Sequence, residues 1–212
     1  MRSALDVFWE SARDWYNGMI GLVVMNFLWL IMSLTVVLLP PATAGLYVVT
    51  NSIGHGTGGR IEDMLPGARA YALLSYRWAL VNIVVGVALA VSFSFYGATD
   101  TILGIIIQAL FVTAGVVWIA MQFFVWPFLI EQEVKQLRLA LKNALFLTLA
   151  NPVYTFVLLG AVGLALVLSV ISMLPLAVFA TSFISLLGNR AVIERLKTYG
   201  KLPGSVQGDD VV

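Results

Sequence analysis

Charged residues divide this chain into blocks. From Trp15 to Gly59 there is no Asp, Glu, Lys or Arg. Trp78 to Ile130 carries only Asp100, and Asn143 to Asn189 carries no charge. A hydrocarbon core of about 30 Å takes roughly 20 residues of helix, so each block is long enough for two spans. Each also holds an internal turn signal: Leu39-Pro40-Pro41, Gly97-Ala98-Thr99-Asp100 and Ser172-Met173-Leu174-Pro175. The pattern predicts an all-α polytopic transmembrane bundle of six spans, built as three helical hairpins. Five spans is the alternative, because residues 40–56 are short for a crossing and could instead be a re-entrant piece.

Each block is preceded by an amphipathic segment. In Ser3 to Tyr16, Leu5, Phe8, Ala12 and Trp15 recur at helical spacing, flanked by Trp9 and Tyr16, and Ser3 with Asp6 forms a capping box. Glu62 to Ser75 places Leu65, Ala68, Ala72 and Tyr76 on one side. Glu131 to Leu149 does the same with Val134, Leu137, Leu141 and Leu145. These segments suit the membrane interface or a cytoplasmic partner. Asp100 is the expected N-cap of span four, Pro127 its expected end or kink, and Asn151-Pro152 the start of span five. The repeating unit is amphipathic segment, aromatic collar, span, outer turn, span. The collars are Trp15 and Tyr16, Tyr76 and Trp78, and Tyr154. One transmembrane domain over residues 1–200 and a polar, disordered tail over 201–212 are expected.

All twelve basic residues lie outside the apolar blocks, in the N-terminal segment, the two linkers and the tail, and none lies in a central turn. The positive-inside rule places those regions, and both termini, in the cytoplasm. The N-terminus is charged out to Asp14, so it lacks a signal peptide's short apolar run, and insertion is expected to rely on the first hydrophobic segment. The chain is 60% hydrophobic and 11% charged, whereas soluble domains run about 45–50% and about 25%. A net charge of +1 gives no field for nucleic acid. The absence of cysteine excludes disulfides and thiolate sites, and His55, the sole histidine, has no second histidine for a zinc site. No catalytic set and no cofactor are read here, so the chain is not expected to be an enzyme.

Two groups of residues remain as candidates. The amides Asn26, Asn51, Asn82, Gln108 and Gln122 lie within spans, where they either bond between helices or line a path for a neutral solute. Gly86, Ala90 and Ser94, and again Ala161, Ala165 and Ser169, form small-residue stripes. Such stripes suit internal packing, a partner's helix or a second copy of the chain.

Asn26 to Ile53, NFLWLIMSLTVVLLPPATAGLYVVTNSI, resembles the signature of the YesL-like family of small bacterial membrane proteins, a domain of unknown function. The matching positions are Asn26, Trp29, Ser33, Leu34, Pro41, Ala42, Thr43, Leu46 and Tyr47. Pro40 stands where the family usually has glycine. Leu141 to Pro152, LKNALFLTLANP, is similar to a second family element. The resemblance implies a protein of the bacterial inner membrane whose relatives are often encoded beside carbohydrate ABC importers. An accessory role toward the importer's permease subunits is therefore the first expectation, and a small transporter or channel for a neutral solute is the alternative. The ligand, the partner's identity and the oligomeric state are not legible in the residues.

Overall fold

The computed structural model describes residues 3–98, 101–172 and 179–201, without the side chains of 168–172. The described residues are all-helical: α1 (Ala4–Asn17), α2 (Met19–Ser33), α3 (Leu39–Gly54), a 3-10 turn (Ile61–Asp63), α4 (Met64–Ala70), α5 (Ala72–Gly97), α6 (Ile102–Glu131), α7 (Leu137–Ala150), α8 (Pro152–Ser172) and α9 (Thr181–Thr198). Two of them, α5 and α6, are each long and apolar enough to cross a membrane. The count rises to four if α1 with α2, bent by 89°, and α7 with α8, bent by 103°, each form one span. Helix length therefore does not carry the expected six crossings. At 15 and 16 residues, α2 and α3 reach only about 22–24 Å each.

The threefold repeat is visible in the packing. Helices α3, α6 and α9 pack on one another at the centre. Each carries the amphipathic helix that follows it around the ring: α4 lies on α3, α7 on α6, and α1 on α9. That last contact closes the ring, and Arg190 fastens it with ion pairs to Glu10, at 3.1 Å, and to Asp14.

Local signals set several of the boundaries. Ser3 and Asp6 cap α1 reciprocally: Asp6 N donates to Ser3 Oγ at 3.2 Å and Ser3 N donates to Asp6 Oδ2 at 2.9 Å. Thr101 caps α6, its Oγ1 accepting from Gly104 N at 3.1 Å, while Asp100 lies outside the described residues. Pro127 neither ends nor interrupts α6, which runs on to Glu131. Proline leaves the carbonyl four residues back, Phe123 O, without its helical donor. At that point Gly188 of α9 approaches so closely that a β-carbon would lie 3.0 Å from Phe123 O and 3.4 Å from Pro127 Cγ. Helix α9 continues past the expected end of span six at Leu187, through Arg190 and Arg195 to Thr198, so the basic start of the tail is helical. The start expected for span six, the Ser172–Pro175 turn and the polar tail beyond Lys201 lie outside the described residues.

The amphipathic segments turn largely as their apolar spacing predicts. Phe8, Ala12 and Trp15 of α1, Ala68 of α4, and Leu137 and Leu141 of α7 are buried or pack against the core, while Leu5, Leu65, Val134 and Leu145 are exposed. The linker segment Glu62 to Ser75 is not one helix: it breaks at Tyr71, and α5 begins at Ala72. In α1 the buried side is Ala4, Val7, Ser11 and Trp15, whereas Leu5, Trp9 and Tyr16 form an exposed apolar stripe. In α4 the buried residues are Met64, Gly67 and Ala68, with Leu65 exposed. In α7 they are Ala140, Ala144, Leu147 and Thr148, with Leu145, Phe146 and Leu149 exposed. Large side chains divide between the two sides: Phe8, Trp15, Met64, Leu137, Leu141 and Leu147 pack inward, while Leu5, Trp9, Leu65, Phe146 and Leu149 face out.

Candidate functional site

The central helices meet along a buried polar line. On α9, Ser182, Ser185 and Asn189 follow one another at spacings of three and four and are almost fully buried. Asn26 of α2 donates to Ser182 Oγ at 2.9 Å, and its own oxygen accepts from Ser182 N at 2.8 Å and from Thr181 Oγ1. The Trp15 indole also donates to Ser182 Oγ, at 2.9 Å. One turn further, Ser185 Oγ and Thr50 Oγ1 lie 2.5 Å apart. Asn189 donates to Tyr47 O and to Thr50 Oγ1, both at 3.0 Å.

The line ends at the last residue of α6. Glu131 Oε1 accepts from Asn51 Nδ2 at 2.6 Å and lies 2.7 Å from His55 Nε2. Its side chain is 7% exposed. The carboxylate acts on its surroundings. Burial pushes the Tyr71 phenol above its usual value, and the negative charge of Glu131 adds to that. Burial lowers the Lys135 ammonium below its usual value, and Glu131 opposes that. The Lys135 ammonium donates to Ile130 O at 2.6 Å and to Gln132 O, closing the C-terminus of α6.

The predicted amides fall into separate places. Asn26 and Asn51 belong to the central line. Asn82 and Gln122 join α5 to α6: the Trp78 indole donates to Gln122 Oε1 at 2.9 Å, Asn82 Nδ2 to the same oxygen at 3.3 Å, and the Trp118 indole to Asn82 Oδ1 at 3.1 Å. Gln108 sits on the outer half of α6 and reaches Phe93 O at 3.5 Å. Trp29, Thr43 and Tyr47 bind α2 to α3 and α3 to α6. The Trp29 indole donates to Thr43 Oγ1 at 3.1 Å, and Tyr47 stacks on Trp126 at 6.2 Å. Pro41 lies buried in the first turn of α3.

The two small-residue stripes part company. On α8, Ala165 is buried and Ala161 half-buried, with the Ser169 side chain outside the described residues. On α5, Gly86, Ala90 and Ser94 are exposed, so they do not serve packing inside this chain. Gly86 has nothing within 4 Å of a β-carbon placed on it. Together with Gly115 and Trp118 of α6, Gly86 and Ala90 line an open groove of about 410 Å³.

Sequence reasoning missed Glu131, Ser182, Ser185 and Asn189. Polar residues at a three-four spacing on an apolar helix were the available signal for the last three. No family model matches the chain, and no curated protein or solved structure is significantly similar to it.

Proposed function

We propose that this chain is an integral protein of the bacterial cytoplasmic membrane that serves as an accessory subunit to an ABC importer, gripping a permease helix in the α5–α6 groove. The carrying observation is the groove itself. At several places in the described fold small residues on helix faces mark protein contacts, Gly45 against α4, Gly188 against α6, and Ala140 and Ala144 of α7, whereas Gly21, Gly160 and Gly163 have open space beside them as Gly86 does. Gly86 and Ala90 are the same kind of surface and have no helix on them. A partner's transmembrane helix supplies one. The importer as partner, and carbohydrate as its cargo, come from the resemblance of Asn26–Ile53 to the YesL-like family. The basic residues of Arg60 to Arg77, Lys135 to Lys142 and Arg190 to Lys201 support a cytoplasmic position for both termini under the positive-inside rule.

The solute-pathway alternative draws less support. Its four amides, Asn26, Asn82, Gln108 and Gln122, stand in three places, and the buried ones bond to neighbouring helices rather than facing one passage. Affinity purification from mild detergent tests the accessory reading. The parent chain is expected to bring down the permease encoded beside it, and Gly86→Leu to lose it while remaining folded. Recovery of the parent alone, or of a homodimer that Gly86→Leu dissolves, would overturn it.

A further inference from the structure

We infer that the α2–α3 hairpin does not reach the far side of the membrane: its tip ends among the lipid tails. This rests on the membrane placement proposed above. The molecule contains its own ruler. Helices α3 and α6 run side by side with their inner ends pinned together, since Asn51 and His55 both meet Glu131, and Tyr47 stacks on Trp126. From that shared end α3 has 16 residues and α6 has 30, or about 24 Å against about 45 Å. Helix α6 therefore overshoots α3 by roughly 21 Å. Burial agrees: α6 is buried almost without interruption from Ala120 to Leu129, while Ile102, Ile106, Leu110 and Val116 are exposed. A bilayer is about 40–45 Å thick with its headgroups, so α6 matches the whole and α3 ends near the middle.

The tip is built for that depth. Leu34, Val36, Val37 and Leu38 are exposed, and no charged residue lies near them in the sequence. Backbone polar groups in hydrocarbon must be satisfied internally, and an orphaned N–H is tolerated less often than a carbonyl, so the donors of this turn must be paired. Here they are. Leu34 N donates to Leu30 O, Thr35 N to Met32 O, Val36 N to Ser33 O, Val37 N to Thr35 O and Leu39 N to Val36 O. Leu38 N donates to Thr35 Oγ1, which itself donates to Met32 O. The next two residues, Pro40 and Pro41, have no N–H, and Ala42 N donates to Leu38 O at 2.9 Å. A helix start ordinarily leaves several N–H groups for water. The Pro-Pro pair removes two of them, so no backbone donor from residue 34 to 42 needs solvent.

The chain has no cysteine, so single cysteines report cleanly. Val36→Cys, Val37→Cys, Ala98→Cys and Thr57→Cys would each be treated with a membrane-impermeant maleimide, on intact cells and on inverted vesicles. Ala98→Cys is expected to react from outside, Thr57→Cys from inside, and the two tip variants from neither. A nitroxide on Val36→Cys, in phospholipid nanodiscs, is expected to be relaxed far more by oxygen than by a water-soluble nickel chelate. Reaction of either tip variant at the rate of Ala98→Cys, or relaxation dominated by nickel, would overturn the inference. Loss of outside reaction at Ala98→Cys itself would overturn the membrane orientation and this inference together. The permease pull-down is independent of all these readouts, so failure of the partner reading leaves the tip's depth untouched.

Discussion

Asn26→Leu is the sharpest test of what the buried polar line does. Leucine nearly matches asparagine in shape but offers neither donor nor acceptor. The substitution removes the bonds from Asn26 Nδ2 to Ser182 Oγ, from Ser182 N to Asn26 Oδ1, and from Thr181 Oγ1 to the same oxygen. The two side-chain bonds are each worth about 0.6 kcal/mol, the average between helices in a membrane protein. Ser182 N, in the first turn of α9, is left buried without that acceptor, which costs about 1–3 kcal/mol. The total is about 2–4 kcal/mol, to be read from unfolding in mixed micelles with increasing dodecyl sulfate. Ser182→Ala removes the hydroxyl but keeps the N–H to Asn26, and should lose about 1–1.5 kcal/mol, two side-chain bonds' worth. Because both variants break the Asn26–Ser182 pair, the double variant should be less destabilised than their sum by at least about 0.5 kcal/mol. A loss under about 0.5 kcal/mol for Asn26→Leu, or strict additivity with Ser182→Ala, would refute a structural role for this line.

Further outcomes follow from the same geometry. Gly45→Ala would put a β-carbon 2.4 Å from Met64 O and 3.1 Å from Ala68 Cβ, so α4 must lift from α3. The expected loss, by the same micellar unfolding, is about 1–3 kcal/mol. Val36 holds a left-handed backbone at φ 55°, which costs a side chain-bearing residue roughly 1–2 kcal/mol. Val36→Gly should therefore gain stability, less what glycine gives back in chain entropy, and unchanged or lower stability would contradict the strain. Glu131→Gln keeps an acceptor for Asn51 but removes the negative charge. Glu131 holds both Tyr71 and Lys135 upward, so both should titrate lower in the variant. Carbon-13 NMR of methylated lysines would show the shift at Lys135, and an unmoved or rising titration would mean the carboxylate does not face it.

Short-range chemistry was legible and long-range pairing was not. Ser3 and Asp6 are three residues apart, and the capping box follows from their order alone. The two long apolar helices α5 and α6 follow from where charge is missing, whereas the expected count of six spans did not follow from it. Ser182 and Asn26, by contrast, are 156 positions apart, and Glu131 and His55 are 76 apart. Nothing local to either partner marks the other. Pro127 does not end α6, which runs on to Glu131, and Gly188 of a different repeat packs closely against the point where the ladder is broken.

The amphipathic helices show where water expulsion alone is an incomplete guide. The usual reading sends large apolar side chains inward, and Phe8, Trp15, Leu137 and Leu141 do pack inward. On the membrane placement proposed above, Leu5, Trp9, Leu65 and Phe146 gain little by following them, because lipid tails solvate them as well as a protein core does. What distinguishes the protein side is how near two backbones can come, and alanine, glycine and serine decide that. Applied to α5, this rule changes the weight of Gly86 and Ala90. On a soluble helix, two small exposed residues would pass unnoticed. On a helix whose exposed positions around them include Leu80, Ile83, Val84, Val87 and Val91, they are where another backbone fits and a lipid tail gains least. The same close-approach physics that seats Gly45 and Gly188 against their neighbours thus singles out an unpacked face on α5.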